Sequence, residues 1–341
     1  MEFEILIMVF FSLILYLINF FLKKKKILID NIKHYEDHKK LLSLNKSTPL
    51  SGSLYFCSLV IFLFYAYEPI LTIAFSFFIL LGMSSDLKII VSPKMRLVLQ
   101  LLILLFFISL TPSITIDTRI NGLNDMMQNT FLKLFIISFF FLVLINGFNF
   151  IDGVNNLSCL NFLVILIFIY LLLEGNDSLL LKNKILILML SMIVFTIYNS
   201  FGKNFMGDGA IYGVSFLIGY ILVKLSSLNY SISPYFIANL LWYPAFENLF
   251  TIIRRLFNKK KNYLPDNGHL HQILFKFLDK KKIIKKKYLL STFVGISINL
   301  LLTIFYTIGY MHNDKTNIQI YLIFIGILIY LFIFFRLKKF S

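Results

Sequence analysis

Cysteine, tryptophan and negative charge are scarce in this chain. It has 2 Cys, 1 Trp and 5 His in 341 residues, and 17 Asp and Glu stand against 33 Lys and Arg. Two cysteines, Cys57 and Cys159, both within or beside apolar stretches, exclude a disulfide framework and any Cys-rich zinc module. Charged residues reach only 15%, while apolar residues reach 58% and aromatic residues 17%, with a mean hydropathy of +0.81. A soluble domain holds about 45–50% apolar residues, so this composition belongs to an integral membrane protein. The formal charge of +16 then reflects basic loops and anionic headgroups rather than nucleic acid, for which no binding module is present. The first apolar stretch, about Ile5 to Leu22, is followed by Lys23–Lys26 instead of preceded by them. That is the reverse of a signal peptide and reads as a retained span.

Eleven apolar segments are long enough to be candidate crossings: 4–22, 53–68, 69–84, 96–112, 131–146, 157–174, 181–199, 211–227, 232–252, 288–310 and 317–336. The expected fold is an all-α integral membrane protein of about eleven transmembrane helices, one polytopic domain over residues 1–341. With eleven crossings, the connections 23–52, 85–95, 146–156, 200–210 and 253–287 share one face with the C-terminus. All but six of the 33 Lys and Arg fall on that side, the exceptions being Arg119, Lys133, Lys182, Lys184, Lys224 and Lys315. By the positive-inside rule that face is expected in the cytoplasm and the N-terminus outside.

The polar clusters sit in those same connections. Residues 146–157 place Asn146, Asn149, Asp152, Asn155 and Asn156 between two apolar runs. Unpaired polar groups are costly in hydrocarbon, and Asn and Asp oxygens are the donors that hard cations prefer. Gly82-Met-Ser-Ser-Asp86 precedes Ser92-Pro-Lys-Met-Arg96; Phe205-Met-Gly-Asp208-Gly follows; Glu247, Arg254, Arg255 and His269-Leu-His271-Gln272 come later. Asp208 is the best metal-ligand candidate, with a helix N-cap as the plainer reading. His269 and His271, two apart, would not share a helical face but could reach one pyrophosphate from an extended segment; a zinc site lacks further soft ligands. Arg254 and Arg255 at a span end suit phosphates or headgroups. A transporter is disfavoured by the absence of inverted repeats and of broken mid-membrane spans.

Taken in order, these segments resemble the polyprenyl-phosphate N-acetylhexosamine-1-phosphate transferases of glycosyltransferase family 4. The first connection is similar too, at Leu28-Ile-Asp30 and Pro49-Leu-Ser-Gly52, with Lys46 just before the latter. The resemblance implies transfer of N-acetylhexosamine-1-phosphate from a UDP-sugar to undecaprenyl phosphate with release of UMP, as initiation of a cell-surface glycan such as O-antigen at the bacterial inner membrane. It implies Mg²⁺, or Mn²⁺ in its place, held by Asn149 and Asp208. It further implies catalytic roles for Asp86, Asp152, His269 and His271, and substrate contacts from Asn146, Asn155, Arg254, Arg255 and Lys46. A homodimer would follow relatives. One departure stands out: relatives carry Asp-Asp where this chain has Ser85-Asp86, and Ser is no base at neutral pH without activation. The alternatives are the phospho-N-acetylmuramoyl-pentapeptide transferase of peptidoglycan synthesis and an inactive scaffold that binds lipid carrier.

Overall fold

The computed structural model describes residues 2–30, 48–112, 114–173, 179–257 and 268–339. Among them are thirteen helices: α1 (Glu2–Lys25), α2 (Gly52–Phe64), α3 (Pro69–Asp86), α4 (Pro93–Leu110), α5 (Asn121–Gln128), α6 (Thr130–Ile151), α7 (Leu157–Leu172), α8 (Leu179–Ser200), α9 (Gly207–Leu228), α10 (Pro234–Phe257), α11 (Leu270–Lys280), α12 (Lys287–Met311) and α13 (Thr316–Lys338). Nine of these are long and apolar enough to cross a membrane. The other two predicted crossings coincide with α2 and α7, apolar helices of 13 and 16 residues. Both are shorter than the roughly 20 residues a full crossing needs. The outward faces of α1, α4 and α13 remain apolar and exposed, at Leu6, Phe10, Leu102, Phe106, Phe324 and Phe332. In water that surface would be a liability; toward lipid tails it costs nothing.

Helix starts follow local chemistry. Pro69 and Pro93 occupy first-turn positions of α3 and α4, where the missing N–H is no loss. Ser92 accepts from the Met95 amide, and the Asn129 side chain accepts from the Phe131 and Leu132 amides, capping α4 and α6.

The centre of the bundle is α9, buried along most of its length against α2, α3, α6 and α7. Its tightest neighbour is α3, where Gly82 and Gly209 meet back to back. A two-residue antiparallel pair, β1 (Ile29–Asp30) with β2 (Thr48–Pro49), sits beside the start of α9. The Phe205 amide donates to Pro49 O at 2.9 Å, and the Gly52 amide to Phe205 O at 3.3 Å, so this strand pair fixes the loop entering α9.

At the opposite end of the bundle, Glu68 before α3 pairs with Lys224 near the end of α9 and accepts from the Tyr220 hydroxyl at 3.1 Å. Lys184 of α8 lies over the Tyr67 ring, 3.6 Å from its centroid. Arg119 donates to Asp314 O, to Thr316 Oγ1 and to Tyr230 O, tying three connections together. Backbone hydrogen bonding around Arg119 holds the Asp117 carboxyl below its ordinary range.

Two short helices replace what reads as loop in sequence. α5 has no buried residue. α11 occupies the middle of the 253–287 connection and packs on α12 and α13.

Candidate active site at one end of the bundle

The end of the bundle that holds the α3 C-terminus and the α9 N-terminus collects the polar side chains. Arg96, in the first turn of α4, donates through Nη1 to Asp208 Oδ2 at 3.0 Å and to Ser85 Oγ at 2.7 Å. Ser85 in turn donates to Asp208 Oδ2 at 2.7 Å. Asp208 is therefore not the N-cap of α9. That task is shared across the chain: Asp86 accepts from the Asp208 and Gly209 amides at 3.1 and 3.4 Å, and Ser53 Oγ from the Ala210 amide at 3.1 Å. A carboxylate there complements the positive end of the helix dipole. Both contacts to Asp208 fall on Oδ2; among the described residues Oδ1 receives none. With about a fifth of each side chain exposed, Asp208 and Arg96 face a solvent-reachable surface.

A second polar group forms where α6 ends and α11 begins. Asp152 closes α6 and accepts from Ser158 Oγ at the start of α7. His271 is fully buried against the following glycine: a Cβ on Gly153 would lie 2.2 Å from His271 Nε2. His269 is the N-cap of α11, extended, so its ring stacks on that of His271 at 5.6 Å although the two are two residues apart. His269 Nδ1 pairs with the buried Glu247 of α10 at 2.9 Å, and Tyr330 of α13 donates to the other Glu247 oxygen at 2.7 Å. The histidines are thus core residues with an assigned orientation, not surface ones. Glu247 orients His269 much as a buried carboxylate orients a catalytic imidazole.

The two groups are joined along α4 and α6. Gln100, one turn after Arg96, accepts from Asn146 Nδ2 at 2.8 Å. The next turn of α6 carries half-buried Asn149 and Phe150, and the Phe150 ring lies 5.3 Å from His269. Asn146 spends both amide hydrogens inside the protein, on Gln100 and on Leu142 O, which leaves only its carbonyl oxygen for a ligand. Arg255 is buried over the same Phe150 ring at 5.8 Å. Arg254 instead folds onto Gly268 O and the Phe250 and Phe334 rings, an anchor for the start of α11. Asn155 lies in the turn between α6 and α7, buried. Asn156 takes the left-handed conformation (φ 64°), which Asn tolerates better than most side chains, so the turn keeps a shape that glycine would favour. Lys46 lies outside the described residues.

Sequence reasoning placed Arg96 in one of the polar segments but gave it no role, and it left Glu247 without a partner. Only the pairing across 112 residues gives Arg96 its place. Among the described residues no three His, Cys, Asp or Glu gather into a metal cage. The donor chemistry nevertheless fits a hard cation of the Mg²⁺ kind, which needs only one or two protein oxygens beside phosphate and water. The open Asp208 Oδ1 is such an oxygen.

Burial, reinforced by the neighbouring His269, holds His271 down to about 3 from 6.5. Neither ring nitrogen has a partner among the described residues. The unfolded chain therefore takes up this proton first, and the stability is complete above pH 6.5 and is lost as pH falls toward 3. The melting temperature of purified protein is expected to drop on acidification below pH 6.5, and less steeply in His271→Gln. Equal slopes in the two proteins would contradict this origin.

Residues 69–226, spanning α3 into α9, match the sequence profile of Glycosyl transferase family 4. A 158-residue stretch is 30% identical to a probable undecaprenyl-phosphate N-acetylglucosaminyl 1-phosphate transferase of Bacillus subtilis (strain 168). The match covers 45% of this chain and 43% of that protein, less than half of either. Ser85, Asp86, Arg96, Asp152 and Asp208 lie inside the matched segment, whereas His269, His271 and their Glu247 lie beyond it. Over residues 69–226, just under half of its length, the chain is similar to glycosyl transferase family 4.

Proposed function

We propose that this protein transfers N-acetylhexosamine-1-phosphate from a UDP-sugar to undecaprenyl phosphate, releasing UMP and starting a lipid-linked surface glycan. The observation that carries this reading is the Arg96–Ser85–Asp208 cluster at the start of α9, with Asp86 beside it, inside the family segment. One cation and two carboxylates at a solvent-reachable helix end suit a reaction between two anionic phosphates.

In the reaction a lipid phosphate oxygen attacks the β-phosphorus of the UDP-sugar. The bond from that phosphorus to the bridging oxygen breaks, and UMP leaves with the electron pair. Asp208 and Asn149 would hold Mg²⁺ (or Mn²⁺), which supplies charge neutralisation on the phosphates. Arg96 has one nitrogen on Asp208 and Ser85, and its guanidinium charge would offset that of the phosphates. His269, fixed by Glu247, and Arg255 both neighbour the Phe150 ring and would meet the pyrophosphate. Ser85 donates a hydrogen bond to Asp208 and so serves as a hydrogen-bonding spacer, not as a base. No base is required, because a phosphate monoester is largely dianionic above its second pKa of about 6. The basic connections on this end of the bundle support a cytoplasmic position for it by the positive-inside rule.

The test is UMP release by purified protein given undecaprenyl phosphate, Mg²⁺ and a panel of UDP-N-acetylhexosamines. Lipid-dependent release that EDTA stops and Mg²⁺ restores is the expected result. Absence of release with every donor, from folded protein, would leave an inactive lipid-carrier-binding scaffold as the better description.

A further inference from the structure

The histidine segment is held by the last helix, α13, which lies well beyond the matched residues 69–226. Much of α13 faces outward, and Tyr321, Phe324, Leu328, Phe332 and Phe335 are exposed. Leu322, Gly326, Tyr330 and Phe334 are buried instead; they recur every four positions and form one row. The row packs on α10. A Cβ on Gly326 would lie 2.8 Å from Trp242 Cζ2, Tyr330 meets Phe246 edge-on at 5.0 Å, and Phe334 meets Phe250 edge-on at 5.0 Å. Edge-to-face pairs of this kind set ring positions as well as bury area.

Two lines run from the row to His269. The first passes through side chains. The Tyr330 hydroxyl donates to Glu247 Oε2 at 2.7 Å, and Glu247 Oε1 accepts from His269 Nδ1 at 2.9 Å. All three residues are buried, and the most exposed of them, His269, reaches only 5%. A carboxylate withdrawn from water needs partners on both oxygens, so Tyr330 fixes its rotation and, through it, the imidazole. With Nδ1–H committed to the carboxylate, Nε2 is the ring nitrogen left for a ligand. The second line passes through the backbone. Arg254 lies over the Phe334 ring, 5.5 Å from its centroid, and donates to Gly268 O, immediately before His269. A Cβ on Gly268 would meet that guanidinium carbon at 2.9 Å. The row thus reaches both the ring of His269 and the chain that leads into it.

We propose that Tyr330 and Phe334 are positioning residues for the transfer reaction, holding His269 so that Nε2 faces the substrates. This rests on the transferase reading above. Neither residue touches substrate: Tyr330 acts through Glu247, and Phe334 through Arg254 and Gly268.

The experiment uses the purified full chain with Tyr330→Phe and Phe334→Leu, beside Leu328→Ala on the exposed side of α13 as control. Tyr330→Phe removes one hydroxyl and keeps the ring. UMP release is measured with each substrate varied, in the native and the His269→Gln backgrounds. The imidazole is read separately by NMR of its ring N–H in protein carrying isotopically labelled histidine, with the His269 signal identified by its loss in His269→Gln. Tyr330→Phe and Phe334→Leu should each shift that signal, and Leu328→Ala should not. Tyr330→Phe should lower kcat roughly tenfold, while both KM values stay within about threefold. In the His269→Gln background its further effect should shrink to under about twofold, because an effect that passes through the imidazole has nothing left to act on. Losses that multiply in the double variant overturn the inference and make Tyr330 structural. An unmoved His269 signal in either variant overturns the role of that residue. If folded wild-type protein releases no UMP with any donor, the transferase reading fails, and the His269 signal alone decides whether α13 sets the ring.

Discussion

Asp208→Asn is expected to lower lipid-dependent UMP release by roughly a hundredfold to a thousandfold with little change in melting temperature. Asn keeps the size of the side chain and an acceptor oxygen for Ser85 and Arg96, so packing at the start of α9 survives. What goes is the charge. The guanidinium of Arg96 then faces Ser85 and a neutral amide instead of an ion pair, and the open oxygen loses most of its attraction for a divalent cation. The helix cap is unaffected, because Asp86 and Ser53 provide it. UMP release and thermal melting, measured on the same preparation, separate the two effects. Near-normal turnover would remove Asp208 from the metal-binding role and with it the centre of the proposed site. A large fall in Tm would instead make Asp208 structural.

The largest effect on folding is expected at Gly82. A Cβ there would lie 2.3 Å from Gly209 Cα and N, and 2.4 Å from the Asp208 carbonyl carbon. These are backbone atoms and cannot swing aside as a side-chain tip can. Gly82→Leu must therefore push α3 away from α9 along the most extensively packed helix pair in the bundle. Overpacking typically costs 1–3 kcal/mol, and a backbone obstacle places this substitution at about 3 kcal/mol or beyond. The displaced α3 also carries Ser85 and Asp86 off Asp208, so activity should fall in whatever protein still folds. The measurement is the recovery of monodisperse protein after detergent extraction, together with its Tm. Gly122→Leu is the comparison, since nothing lies within 4 Å of its added Cβ. Normal recovery of Gly82→Leu would mean that the helices part at little cost.

Much of the fold could be read from hydropathy because the membrane imposes it. Each of the eleven apolar segments coincides with a helix, α2 and α7 included, although both are short for a crossing. The helices that escaped notice, α5 and α11, are brief and of mixed polarity, and a search for apolar runs passes over them. The site was legible by residue type where chemistry is scarce: an Asp, Asn or His at a membrane boundary attracts attention on its own. Arg96 could be seen in the Ser92–Arg96 segment, but not its pairing with Asp208, 112 residues later. Asn146 could be seen but not its partner Gln100, 46 residues earlier. The stacking of His269 on His271 was hidden as well, because it depends on one residue capping α11 while the other lies in its first turn.

Ser291 of α12 accepts from the Asn155 amide and Asn299 donates to Leu157 O, a grip on the 155–157 turn that bears on engineering by segment exchange. Residues 69–226 look like a self-contained cassette, yet one of their loops takes its shape from a helix more than sixty positions downstream. A chimaera that imports that cassette from a relative while keeping the native C-terminal third would join two halves never fitted to each other. Swaps that carry the 288–299 stretch together with the cassette preserve the fit, and the place to cut the chain lies after α12, not after α9.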